Sequence, residues 1–119
     1  MYTIIRGDLQ MSPGKAASQA GHAFKLLTKN LILNNPNLSN KYFDDGLGTN
    51  ICLIAKNQNQ LENAYLEALK SNLPTFKVID SGHIMPPFFT GEDILTAIGI
   101  GPCYRNDIHH ITKKFSIYR

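Results

Sequence analysis

Four polar residues, Lys15, Gln19, His22 and Asp80, stand at positions that could carry acid–base or ester chemistry. Ser12-Pro13-Gly14-Lys15 opens an apolar-periodic segment, with Ser12 as candidate N-cap and Pro13 at the first helical position. Lys15 would then stand at a helix N-terminus, where unpaired N–H groups and the positive dipole end favour an anion, so Gly14 and Lys15 together suit a phosphate or a developing oxyanion. Gln19 and His22 follow four and seven positions later and share the helical face of Lys15. Asp80 falls where a strand ends, a place from which carboxylates reach the ligand crevice of open α/β sheets, and could orient or activate a water. Each residue also has a plainer use: Lys15 as a solvated lysine, His22 as a hydrogen-bonded core histidine, Asp80 as a turn aspartate capping its own backbone.

Two more specific chemistries are excluded. Asp80, Ser81 and His83 lie too close in sequence for the histidine to bridge serine and aspartate, so they are not a hydrolytic triad. His22, His83, His109, His110, Cys52 and Cys103 match no zinc-ligand spacing.

Positioning these side chains requires a layered scaffold, and the patterning supplies one. Residues 2–6 read as a strand. Ala16, Ala20, Ala23, Phe24, Leu27 and Leu31 trace an amphipathic helix whose first half is small-sided, allowing close approach to a sheet. Residues 34–48, rich in Asn, Asp and Gly, read as a connection with one short helical turn near residues 38–43. A buried strand over 50–55, a helix carrying Leu61, Ala64, Tyr65, Ala68 and Leu69, and a strand over 75–79 follow. A loop over 80–91, a strand over 93–100, a helix over 102–113 and a tail over 115–119 complete the chain. This β-α-β-α-β-β-α order predicts a layered α/β fold, and the direct link between its last two strands predicts a mixed sheet.

The 119 residues fit one domain, 1–119, large enough to bury a core. With 43% apolar and 18% charged residues the chain is not intrinsically disordered. No run approaches the ~18 apolar residues of a membrane span, the start has no signal-peptide pattern, and two distant cysteines suit a reducing compartment. The expectation is a cytoplasmic protein with no membrane partner. A net charge of +3 permits a nucleic-acid partner without requiring one.

The string Ile5-Arg6-Gly7-Asp8-Leu9-Gln10-Met11-Ser12-Pro13-Gly14-Lys15-Ala16-Ala17-Ser18-Gln19-Ala20-Gly21-His22-Ala23 resembles, without a gap, the opening block of the type-2 peptidyl-tRNA hydrolases. Leu73-Pro74, Ile79-Asp80-Ser81-Gly82 and Ala97-Ile98-Gly99-Ile100-Gly101-Pro102 are similar to that family's later blocks. The resemblance implies a three-layer sandwich with a mixed four-stranded sheet and helices on both faces. It also implies hydrolysis of the ester joining a peptide to the 3′-terminal ribose of tRNA, so peptidyl-tRNA is the implied partner; family members often pair as homodimers. Lys15, Gln19, His22 and Asp80 fall on family site positions. The family's Arg-Thr after its Asp-Ala-Gly is here His83-Ile84, and a family threonine falls on Ile94. Thr90 and Thr96 are near enough in sequence to supply hydroxyls, and His83 could take over one lost hydrogen bond or be a surface loop histidine. Two rival readings keep the fold and drop the activity: a relative that only holds a tRNA or other RNA end, and an interaction module docking partners through Phe88-Phe89 and the Pro86-Pro87 loop.

Overall fold

Thr3, Ile4 and Ile5 are β-branched, and the run that holds them, Tyr2–Arg6, is the first strand (β1) of the computed structural model, which describes residues 1–44, 46 and 48–119. Helix α1 (Pro13–Asn34) starts as the capping signals require: Ser12 Oγ accepts the Lys15 backbone N–H at 3.2 Å. Asn35 closes α1 and opens α2 (Pro36–Phe43), its side-chain oxygen accepting the Leu38 N–H at 3.2 Å. The segment read as a connection with one turn therefore contains an eight-residue helix; Asp45 and Leu47 of that segment lie outside the described residues. Then come β2 (Ile51–Ala55), α3 (Gln58–Lys70), β3 (Thr75–Asp80), β4 (Ile84–Met85), β5 (Phe89–Thr90), β6 (Ile94–Ile100), α4 (Arg105–Thr112) and β7 (Ser116–Ile117).

The main sheet has the order β3-β6-β1-β2-β7. β1 and β2 run parallel, and every other pairing is antiparallel, so the sheet is mixed, as expected. It has five strands instead of four. The supposed tail folds back so that Ser116 and Ile117 pair with Ile54 and Leu53, and Tyr118 N–H donates to the Cys52 carbonyl at 3.0 Å. Two residues are too short a strand to show any alternation; it is the open edge of β2 that recruits them. The loop over 80–91 likewise carries a small hairpin, with Ile84 opposite Thr90 and Met85 opposite Phe89.

Alternation along β1 sends Ile4 to one face and Ile5 to the other. Ile4, Leu53, Ile98 and Ile100 pack against Leu61, Ala64 and Ala68 of α3 and Ile108 and Ile111 of α4. Ile5, Val78 and Ala97 pack against Ala16, Ala20 and Ala23 of α1. Helices thus cover both faces. α1 lies closest at Gly99, where an added Cβ would stand 3.1 Å from Leu27 Cδ1 and 3.2 Å from both the Cβ and the carbonyl oxygen of Ala23. The helix backbone cannot retreat without uncovering the core. Gly99→Val should therefore destabilise the protein by about 1–3 kcal/mol or more, measured as a lowered urea midpoint.

Candidate active site

The site begins with an irregularity in β6. The β3–β6 register shifts between Val78 and Ile79, so that Val78 faces Ala97 and Ile79 faces Leu95, leaving Thr96 as the extra residue of a bulge. Strict alternation would turn Thr96 and Ala97 to opposite faces. The bulge turns both towards α1: Ala97 joins the small residues of that helix, and the Thr96 hydroxyl donates to Gln19 Oε1 at 2.5 Å. Thr96 is wholly buried and Gln19 nearly so. Thr96 thus meets a ligand only through Gln19, whose amide it holds by the oxygen, leaving the Nε2 donors for the cleft that Gln19 lines.

One turn before Gln19, at the start of α1, Lys15 reaches across to the end of β3. Its Nζ donates to Asp80 Oδ1 at 2.7 Å, with both side chains about 15% exposed (16% and 14%). The two residues singled out as separate candidates are one ion pair. The other carboxylate oxygen, Asp80 Oδ2, is buried and has no hydrogen-bond partner among the described residues, an acceptor that demands a donor. Asp80 also lines a cleft of about 390 Å³, together with Gln19, His22, Leu26 and residues 77–79. His22 is exposed on the cleft wall rather than buried in the core.

The floor under Lys15 is Phe89, one of the two phenylalanines that the sequence offers for docking a partner. It is 1% exposed, and Lys15 Nζ lies 5.3 Å from its ring centroid, within cation–π reach. His83 packs edge-on against the same ring, with centroids 4.9 Å apart and planes at 77°, and its Nε2 is buried without a partner among the described residues. The residue as a whole is half-buried on its loop. Only tertiary register reveals the stack; the pairing of Met85 with Phe89 turns one of two adjacent phenylalanines inward, leaving Phe88 exposed. Gly14 is exposed at the start of α1 with open space where a Cβ would stand. Thr90 is exposed on β5 opposite Ile84, and its hydroxyl is tied to none of the residues above.

Arg6 and Asp8 brace the bulge from below. The guanidinium donates to both Asp8 oxygens, at 3.1 and 2.7 Å, and to the Leu95 carbonyl at 3.2 Å. These hydrogen bonds hold the Asp8 carboxyl below its ordinary range. Among the described residues, no three His, Cys, Asp or Glu side chains gather as metal ligands, and no helix is long and apolar enough to cross a membrane.

Fold and cleft together define an α/β protein in which a lysine–aspartate ion pair ends at a crevice that the aspartate lines. Residues 1–118 match the family described as Peptidyl-tRNA hydrolase PTH2, and the chain belongs to that family. Curated relatives named peptidyl-tRNA hydrolase include one from Saccharolobus islandicus, 30% identical over 115 residues, with 94% of this chain and 92% of the relative covered. Those from Methanocaldococcus jannaschii (30% over 112 residues; 94% and 93% covered) and Haloquadratum walsbyi (30% over 115 residues; 97% and 96% covered) are similar to the same extent.

Thr96→Val keeps the shape of the buried side chain and removes the donor that Gln19 Oε1 depends on. It should lower unfolding free energy by about 1–3 kcal/mol in urea titrations, whereas Thr96→Ser should keep most of the stability.

Proposed function

We propose that the protein hydrolyses the ester between the C-terminal carbonyl of a peptide and the 3′-terminal ribose of tRNA, releasing the peptide acid and tRNA with a free 3′-hydroxyl. The observation that carries this reading is the Asp80 carboxylate of the cleft wall, held at Oδ1 by Lys15, with Oδ2 buried and unpartnered among the described residues. In this reading a water donates to Oδ2 and attacks the ester carbonyl. Asp80 takes the water's proton, and the departing ribose oxygen receives it as the tetrahedral intermediate collapses.

Lys15 keeps the carboxylate aimed and sets a positive charge beside the developing oxyanion, with the N-terminus of α1 adding its dipole through the open backbone at Gly14. Gln19, braced by Thr96, and His22 on the cleft wall offer hydrogen bonds to the ester and the terminal ribose. His83 supplies the imidazole nitrogen that its ring leaves unpartnered, in place of a hydroxyl, and Thr90 stands at the rim for the tRNA end. Under this reading residues 1–119 act as one cytoplasmic domain needing no metal or cofactor, and a homodimer is a compatible assembly.

Release of tRNA from N-acetyl-aminoacyl-tRNA tests the reading. Asp80→Ala should lower kcat by roughly 10²–10⁴-fold; an unchanged rate would remove Asp80 from the reaction, whereas tRNA bound without release by the parent protein would leave an RNA-end-binding protein instead of an esterase. For His83 the expected loss in His83→Ala is about tenfold or more in kcat with little change in KM, partly recovered in His83→Asn, which keeps a donor. Turnover at the parent rate in His83→Ala would remove the imidazole from the reaction.

A further inference from the structure

β3 is an outer strand: it pairs with β6 on one side and with no strand on the other among the described residues. The ladder dictates which of its backbone groups face outward. Gly101 N–H donates to the Pro74 carbonyl at 2.9 Å. Bonded residues alternate in an antiparallel ladder, so Phe76, opposite Gly99, and Val78, opposite Ala97, turn their N–H and C=O groups towards β6. The other side of the sheet agrees. Ile51 N–H bonds Met1 and Gly7 N–H bonds Ala55, so odd-numbered residues of β1 serve β2, and Tyr2 and Ile4 serve Ile100 and Ile98. Gly99 and Ala97 are left for β3. Thr75 and Lys77 therefore point both main-chain groups off the edge of the sheet.

The Lys77 side chain does not cover them. Its Nζ lies 4.6 Å from the Tyr65 ring centroid, on the α3 face. The cleft that ends at Asp80 lies on the α1 side, between Gln19, His22 and Leu26 and residues 77–80 of β3. An open strand edge leading into a cleft is a template for an extended chain.

We propose that the free edge of β3 binds the peptide part of the substrate as an added parallel strand, with the ester carbonyl at Asp80 and the chain running back past Lys77 towards Thr75. This rests on the esterase reading above and names how that site would recognise its acyl group. Peptides of varied sequence share only their main chain, and main-chain hydrogen bonds are what an edge strand offers. The direction follows from the chemistry: the reacting carbonyl must lie at the C-terminal end of β3, so the preceding residues extend alongside the strand towards its start. At ~3.3 Å per residue, Lys77 and Thr75 lie roughly 10 and 16 Å back along β3. They meet peptide residues about three and five positions from the ester. A lysine on an edge strand also keeps it from pairing with another copy, which suits an edge reserved for a short ligand.

The test compares kcat/KM for tRNA carrying N-acetylated one-, three- and five-residue acyl groups. It also compares Kd for adenosine 3′-amide analogues of the same lengths, which cannot be hydrolysed. Both should improve about tenfold from one residue to five, whatever the side chains, and N-methylation of the amide three residues from the ester should cancel most of the gain with the protein unaltered. Lys77→Pro removes an outward N–H that bonds no strand and should bring the long-to-short ratio towards one, while Lys77→Ala keeps it. A flat length dependence, or equal effects of Lys77→Pro and Lys77→Ala, would overturn the proposal. So would loss of self-association in Lys77→Pro with the ratio intact, which would give the edge to a second copy. If no ester is cleaved at any length the esterase reading fails, and the analogue Kd values still decide whether the edge binds peptide.

Discussion

A helix lies on a sheet only as close as the side chains between them allow, and α1 lies close because Gly99 has no side chain and Ala16, Ala20 and Ala23 have little. That contact sets the height of α1 above β6 and β3. Everything chemical in the cleft is measured from it. Lys15 spans the gap to Asp80 at 2.7 Å, and Gln19 meets Thr96 at 2.5 Å. A helix standing a methyl group farther off would lengthen both contacts and unseat the buried amide, so packing and site geometry are one constraint.

The second device is the bulge in β6. A regular ladder would send the Thr96 hydroxyl to the α3 face and leave Gln19 buried without its partner, an arrangement costlier than having no polar group there. One extra residue re-aims the hydroxyl. The Arg6 guanidinium, bonded to the Leu95 carbonyl and to Asp8, braces the same stretch from β1. Local irregularity here serves position instead of weakening the sheet.

The hairpin β4–β5 completes the site from outside the main sheet. It delivers Phe89 beneath Lys15 and against His83, so a cation, an aromatic face and an imidazole form one stack. Phe89 is a positioning residue: it offers no proton, yet an apolar floor restricts where the ammonium can go. The same register buries Phe89 and exposes Phe88, with Ile84 and Met85 also exposed on that hairpin.

Much of this was readable from residue order. Capping chemistry placed the start of α1, the three- and four-residue spacing of alanines and leucines placed its buried face, and the motif strings carried the resemblance to a family that the whole-chain match bears out. Lys15, Gln19, His22 and Asp80 were candidates from type and spacing alone, because helix termini and strand ends are local features with local signals. Their partners were not legible. That Lys15 pairs with Asp80, that Thr96 serves Gln19, and that β3 leaves Thr75 and Lys77 open at an edge all depend on strand order and register, which bring together residues dozens of positions apart. The fifth strand was missed for the same reason: two residues have no periodicity, and only the vacant edge of β2 makes them a strand. Local sequence determines what each element is, whereas long-range packing decides which atoms meet.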